Sequence, residues 1–277
     1  MEKRNLEENR YNVDEIIFKF IEEMDYLEND HVLGCYFYGS YLTGFNCNYS
    51  DIDLHIVFDD SEPDRLVRGN KHINGIRVEY FEKPIGDLYL SVETEYNNQN
   101  NALMSILGTS RIIFDKKGDL SKLQQFVCSK FSNPLPKLEE EEAREYVSIL
   151  ANRMEKLENA CINDTPYFHH LYHLTIEKIR VFYHKLNGMP EVQTSKVYRV
   201  YTEEDYRNSF FKSNIPEEEF IEMYLDAISD ESLDKVKKLE KVQALFNYAT
   251  RNITLGEDYR ILIKSRNLTP KRYGKIN

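Results

Sequence analysis

Apolar residues at Val13, Ile16, Ile17, Phe20, Ile21, Met24 and Leu27 recur at spacings of three and four, which predicts an amphipathic helix with one buried face. The pattern then changes. Val32–Tyr38 is a mostly apolar, aromatic run that ends at Gly39-Ser40, as a buried strand entering a tight turn would read. After a polar loop holding Gly44, Asn46, Asn48 and Ser50, strict alternation resumes from Asp51 to Phe58. It places Asp51, Asp53 and His55 on one strand face and Ile52, Leu54 and Ile56 on the other. A further strand is expected at Ile76–Phe81, behind the hairpin dipeptide Asn74-Gly75, with Arg77 and Glu79 sharing a face and Glu82 on the opposite one.

Residues 86–107 read as one helix, and Arg111–Phe114 as a short strand with a turn behind it. Pro134 and Pro136 then punctuate the chain. Beyond them the pattern is almost wholly helical, with helices expected near 138–160, 165–187, 203–212, 217–229 and 231–253. A domain boundary is therefore placed at about 136, giving domains 1–136 and 137–277. Within 165–187, His169, His173, Glu177, Arg180 and His184 form a polar stripe, read as a solvated or substrate-facing surface because no third ligand stands at zinc spacing. Glu139–Glu142 charge the first turn of a helix, as its dipole favours.

Composition narrows the classes. The 277 residues are 41% hydrophobic and 30% charged, a globular composition that excludes disorder as the main state. No apolar run reaches the length of a membrane helix and no apolar leader opens the chain, so a soluble, cytoplasmic protein is expected. Cys35, Cys47, Cys128 and Cys161 are irregularly spaced and read as reduced thiols. The net charge of −11 argues against an extended nucleic-acid footprint and favours a cationic or neutral small partner. One stretch departs from this balance: from Arg260 onward there are six basic residues and no acidic one.

The chemistry sits in Tyr38-Gly39-Ser40, a spacer of ten residues, and Asp51-Ile52-Asp53, followed by an acidic residue, Glu79, on a later strand. Two aspartates separated by one residue within a strand point the same way, and a carboxylate from a neighbouring strand can converge with them on hard divalent cations. Gly39 allows a close backbone approach, and Ser40 with its N–H can hold a terminal phosphate.

This constellation resembles the DNA polymerase beta-type nucleotidyltransferase superfamily, whose pattern it follows from Tyr38 to Leu54, with Gly44 and Ser50 as accessory matches. The resemblance implies an α/β (α+β) nucleotidyltransferase fold, a mixed sheet flanked by helices, followed by an all-α helical bundle. It implies Asp51, Asp53 and Glu79 as catalytic metal ligands for two Mg²⁺ ions, and Gly39 and Ser40 as the triphosphate cradle for ATP or another nucleoside triphosphate. Lys196, which follows a Gly188-Met189-Pro190 break, is the candidate cation returning to the triphosphate. With one catalytic head and a helical second half, the chain looks like the antibiotic nucleotidyltransferases that adenylylate aminoglycosides or lincosamides. Transfer to a protein or an RNA end, as in toxin–antitoxin systems, and a catalytically silent nucleotide-binding module are the alternatives; the basic stretch supports the former and the intact carboxylates speak against the latter. Neither the acceptor, the general base nor the oligomeric state is read from the sequence.

Overall fold

The computed structural model describes residues 12–131, 134–210 and 214–254. The basic stretch from Arg260 lies outside the described residues.

The expected first helix forms as α1 (Val13–Glu23), opened by the Asn12 side chain, which accepts from the Glu15 amide. It ends before Leu27, which is exposed, because Asp25 turns left-handed at φ 54°. β1 (Val32–Tyr38) runs into a single-turn helix, α2 (Ser40–Thr43), and β2 (Ile52–Phe58) follows antiparallel to β1.

The hairpin of β3 (Val67–Ile73) and β4 (Ile76–Pro84) is closed by Asn74 and Gly75, both at positive φ, as a two-residue turn with Ile73 opposite Ile76 demands. β3 was not expected. Its sequence, Val-Arg-Gly-Asn-Lys-His-Ile, is polar because it is a sheet edge whose side chains mostly face water.

The single helix expected over 86–107 is two: α3 (Ile85–Asn97) and α4 (Ala102–Thr109). The break falls at Asn98-Gln99-Asn100-Asn101, amide side chains that compete with helical hydrogen bonding. The Asn100 side chain accepts from the amides of Asn101 and Ala102, while the Glu95 carboxylate takes those of Leu103 and Met104. Gln99, at φ 59°, donates to the carbonyls of Pro136 and Lys185, fixing this corner against the helical region. β5 (Arg111–Asp115) completes the sheet, and α5 (Asp119–Phe131) follows it.

The sheet is mixed, in the order β3-β4-β2-β1-β5, with β2 and β4 parallel and the other pairs antiparallel. One face packs on α1, burying Ile16, Ile17 and Phe20 against Phe37, Ile52, Leu54 and Ile56. The other packs on α3, α4 and α5 through Tyr36, Val57, Leu88, Leu107 and Leu123.

An all-helical region follows, of α6 (Glu140–Ile162), α7 (Phe168–Asn187), a 3₁₀ turn at Thr194–Lys196, α8 (Val197–Thr202), α9 (Glu204–Ser209), α10 (Glu218–Ile228) and α11 (Lys235–Thr250). The 3₁₀ turn and α8 were not anticipated, being too short to carry a periodic signal. The long helices share one core, with α7 packed on both α6 and α11. The polar stripe of α7 is not a solvated face: Arg180 and His184 are 2% and 1% exposed, His169 and Glu177 are half-buried, and His173 alone of the five is exposed. Among the described residues no helix is long and apolar enough to cross a membrane, and all four cysteines are free.

Candidate active site

The pairing register makes the site. In the parallel pair β2–β4, Asp53 stands beside Glu79, and Asp51 lies two residues before Asp53 on the same pleat face. Asp51, Asp53 and Glu79 each present an oxygen within 4.8 Å of those of the other two. Ile52 and Leu54, fully buried beneath, hold the strand in register. Glu82 goes to the other face, as its parity requires. It is 4% exposed and accepts from the Tyr26 hydroxyl at 2.5 Å and from Arg65 at 2.7 Å. His55, the next residue on the aspartate face, is core: burial pushes its imidazole down to about 4.

Electrostatics set the three carboxyls apart. Burial first, then the charges of Asp51 and Glu79, pushes the Asp53 carboxyl up to about 7, with Lys196 and Arg77 opposing. Asp51 is raised by burial but more than compensated by the hydrogen bond and charge of Arg77, which leaves it below the usual carboxylate range. Glu79 pairs with Arg68 at 2.5 Å. The nearby Tyr38 hydroxyl is pushed up by burial and by all three carboxylates. Three converging carboxylates, two of them paired with Arg77 and Arg68 and one forced toward protonation, form a donor set of hard oxygens, which fits Mg²⁺ or Mn²⁺.

Gly39 leaves β1 at φ 87°, and a Cβ there would lie 2.1 Å from the Asp53 carboxylate oxygen, so no side chain fits without moving that carboxylate. Its close approach is to Asp53 itself. The following loop is tied back by the Phe45 amide to the Ser40 carbonyl at 3.0 Å, and by the Cys47 amide to the Ser50 hydroxyl at 2.8 Å.

Gly39, Ser40 and Asp53 line one end of a cleft of about 570 Å³, a size that suits a small-molecule site. α4 contributes Ser105, Ile106 and Thr109 to its lining, and the helical region contributes Gln193, Lys196, Arg199 and Tyr206. Lys196 thus shares the cleft with Gly39, Ser40 and Asp53. Sequence reasoning missed Arg199, whose guanidinium lies 4.7 Å from the Phe45 ring centre and 4.1 Å from that of Tyr206. A Phe in the motif spacer and an Arg four residues before Glu203 carry no local signal for this contact.

Residues 24–119 match the family model described as Polymerase beta, Nucleotidyltransferase. The N-terminal part of the chain carries a polymerase beta-type nucleotidyltransferase domain. In it, Gly39, Ser40, Asp51, Asp53 and Glu79 all fall within the matched residues of this nucleotidyltransferase domain, whereas Lys196 and Arg199 lie beyond them. No curated protein matches the chain. A solved structure of a nucleotidyltransferase-like protein from Exiguobacterium sibiricum 255-15 is similar over 86% of this chain and 74% of that one, with 12% sequence identity and a TM-score of 0.47.

Proposed function

We propose that this protein is a metal-dependent nucleotidyltransferase that moves a nucleoside monophosphate, AMP from ATP in the first instance, onto a hydroxyl of a small molecule, with release of pyrophosphate. The observation that carries this is the convergence of Asp51, Asp53 and Glu79, with Asp53 lining a cleft that Lys196 also lines.

In this reading residues 1–136 are the catalytic head, and residues 137–277 form a helical domain that binds the acceptor. Asp51, Asp53 and Glu79 hold the divalent ions, which when bound neutralise the triphosphate and align attacking and leaving oxygens. Ser40, at the turn after β1, binds the terminal phosphates. Lys196 adds a point charge where the carboxylate cluster alone would repel them. The acceptor hydroxyl attacks the α-phosphorus and pyrophosphate leaves. A cleft of this volume suits a small acceptor better than a macromolecular one, and aminoglycosides and lincosamides stand first in the panel to be tested.

The test is incubation with Mg²⁺, each of the four nucleoside triphosphates, and a panel of aminoglycosides, lincosamides and hydroxylated metabolites. Support is pyrophosphate release together with an acceptor heavier by one nucleotidyl group, about 329 Da for AMP. Release of orthophosphate with a phosphorylated acceptor would overturn the reaction class.

A further inference from the structure

The cleft wall that carries Lys196 is a short piece of chain with little structure of its own. It consists of a three-residue 3₁₀ turn and the six-residue α8, too short to hold a register unaided. Val192, Val197, Val200 and Tyr201 bury it in the helical core, and three polar attachments tie it to α7.

At the entry of the segment, the carbonyl of Pro190 lies 2.7 Å from Nδ1 of His184. In the turn itself, the Thr194 hydroxyl donates to Oε2 of Glu177 at 3.2 Å. At the far end, the Tyr201 hydroxyl lies 2.7 Å from Nε2 of His184. A carbonyl only accepts, so Nδ1 of His184 is the donor; in the neutral ring Nε2 is then the acceptor, and Tyr201 donates to it. One buried imidazole therefore grips both ends of the segment. Glu177 is fixed in turn by Arg180, whose Nη2 and Nε lie 2.8 and 3.1 Å from Oε2, and by the Tyr224 hydroxyl on Oε1.

We propose that Glu177 and His184 are positioning residues for the triphosphate site: through Thr194, Pro190 and Tyr201 they set the backbone from which Lys196 reaches the cleft. The inference rests on the nucleotidyltransferase reading. It gives a function to the polar stripe of α7, in which Glu177 and His184 bond the segment 190–201 while Arg180 and Tyr224 hold Glu177. A lysine on a four-carbon stem delivers its charge only where its Cα is held, so loosening either attachment costs phosphate affinity even though neither residue lines the cleft.

The test measures binding of the four nucleoside triphosphates, with Mg²⁺, to wild type, Lys196→Ala, Thr194→Val, His184→Asn and His184→Ala, and to the doubles of the last three with Lys196→Ala. Thr194→Val is a surface change that removes one hydroxyl, so it tests the Glu177 attachment without threatening the fold. Thr194→Val and His184→Ala are expected to raise Kd by about three- to tenfold. His184→Asn, which keeps a donor for Pro190, should stay closer to wild type. In the Lys196→Ala background none of them should weaken binding further, because their effect passes through that lysine. Titration of Mn²⁺ alone should be the same in wild type, Thr194→Val, His184→Asn and His184→Ala, all of which keep Lys196.

Additive losses in the doubles would show a general structural role and overturn the inference. So would unchanged affinity in both Thr194→Val and His184→Ala while Lys196→Ala weakens binding. If wild type binds no nucleoside triphosphate but still binds Mn²⁺, the functional reading itself falls, and the inference with it.

Discussion

Asp53 is the residue at which catalysis and stability are expected to oppose each other. Its carboxyl is ordinary at 3.8 when the chain is unfolded and is pushed up to about 7 in the fold by burial and by Asp51 and Glu79. Between those values the native state holds a proton that the unfolded state has lost, so stability falls as pH rises through the window from about 4 to about 7 and stays reduced above it. At about 1.36 kcal/mol per pH unit the full penalty is about 4 kcal/mol. Asp53 is only partly buried, and solvent screening and relaxation reduce the figure to about 2 kcal/mol. Asp53→Asn keeps the shape and removes the charge, so it should stabilise the metal-free protein by that amount at pH 8 and by almost nothing at pH 4. For a chain of this size that corresponds to a rise in Tm of about 4–8 °C at pH 8. The assay is thermal unfolding of wild type and variant from pH 4 to 8, with EDTA and then with Mg²⁺. The ion should raise the Tm of wild type and leave the variant unmoved, while nucleotidyl transfer by the variant is lost. An Asp53→Asn protein no more stable than wild type at pH 8 in EDTA would refute the electrostatic account of the site.

Three further outcomes follow from the geometry. Glu79→Gln should cost transfer roughly two orders of magnitude or more with little change in Tm. Glu82→Gln, which leaves buried Tyr26 and half-buried Arg65 without their carboxylate, should instead lose about 2–3 kcal/mol of stability; equal losses of activity at near-equal Tm would mean that the strand register is wrong. Gly39→Val should abolish Mn²⁺ binding along with nucleotide binding, because its Cβ displaces the Asp53 carboxylate, and calorimetry with Mn²⁺ alone checks this. Lys196→Ala should raise the KM for the nucleoside triphosphate about tenfold without lowering Tm, while Lys178→Ala, on an exposed position of α7, should change neither.

The parts of this account that were legible in the sequence are those written in local periodicity. Alternation across Asp51–Phe58 dictates which residues face the core, and the same alternation in β4 separates Glu79 from Glu82, so the carboxylates could be assigned to a face before the sheet was seen. What alternation does not carry is long-range pairing. The polar edge strand β3 is held by its hairpin partner rather than by apolar burial, and the break between α3 and α4 is held by Gln99 reaching carbonyls in another part of the chain. The stripe on α7 misled for the same reason. Polar residues at helical spacing read as a wet face, but Glu177, Arg180 and His184 find partners on residues 190–224 and are covered by them. Lys196 was singled out by a chain break, whereas Arg199, set against the Phe45 ring, gave no signal because its partner lies in the motif spacer of the nucleotidyltransferase domain.

The central claim is that Asp51, Asp53 and Glu79 hold divalent metal against a triphosphate lying in the cleft. Its most direct test is a crystal structure with Mn²⁺ and a non-hydrolysable ATP analogue, read by the anomalous scattering of manganese. The account requires anomalous peaks touching all three carboxylates and the triphosphate oxygens, with Ser40 and Lys196 on the phosphates. A triphosphate bound away from these carboxylates, or bound beside them with no manganese between, would contradict it.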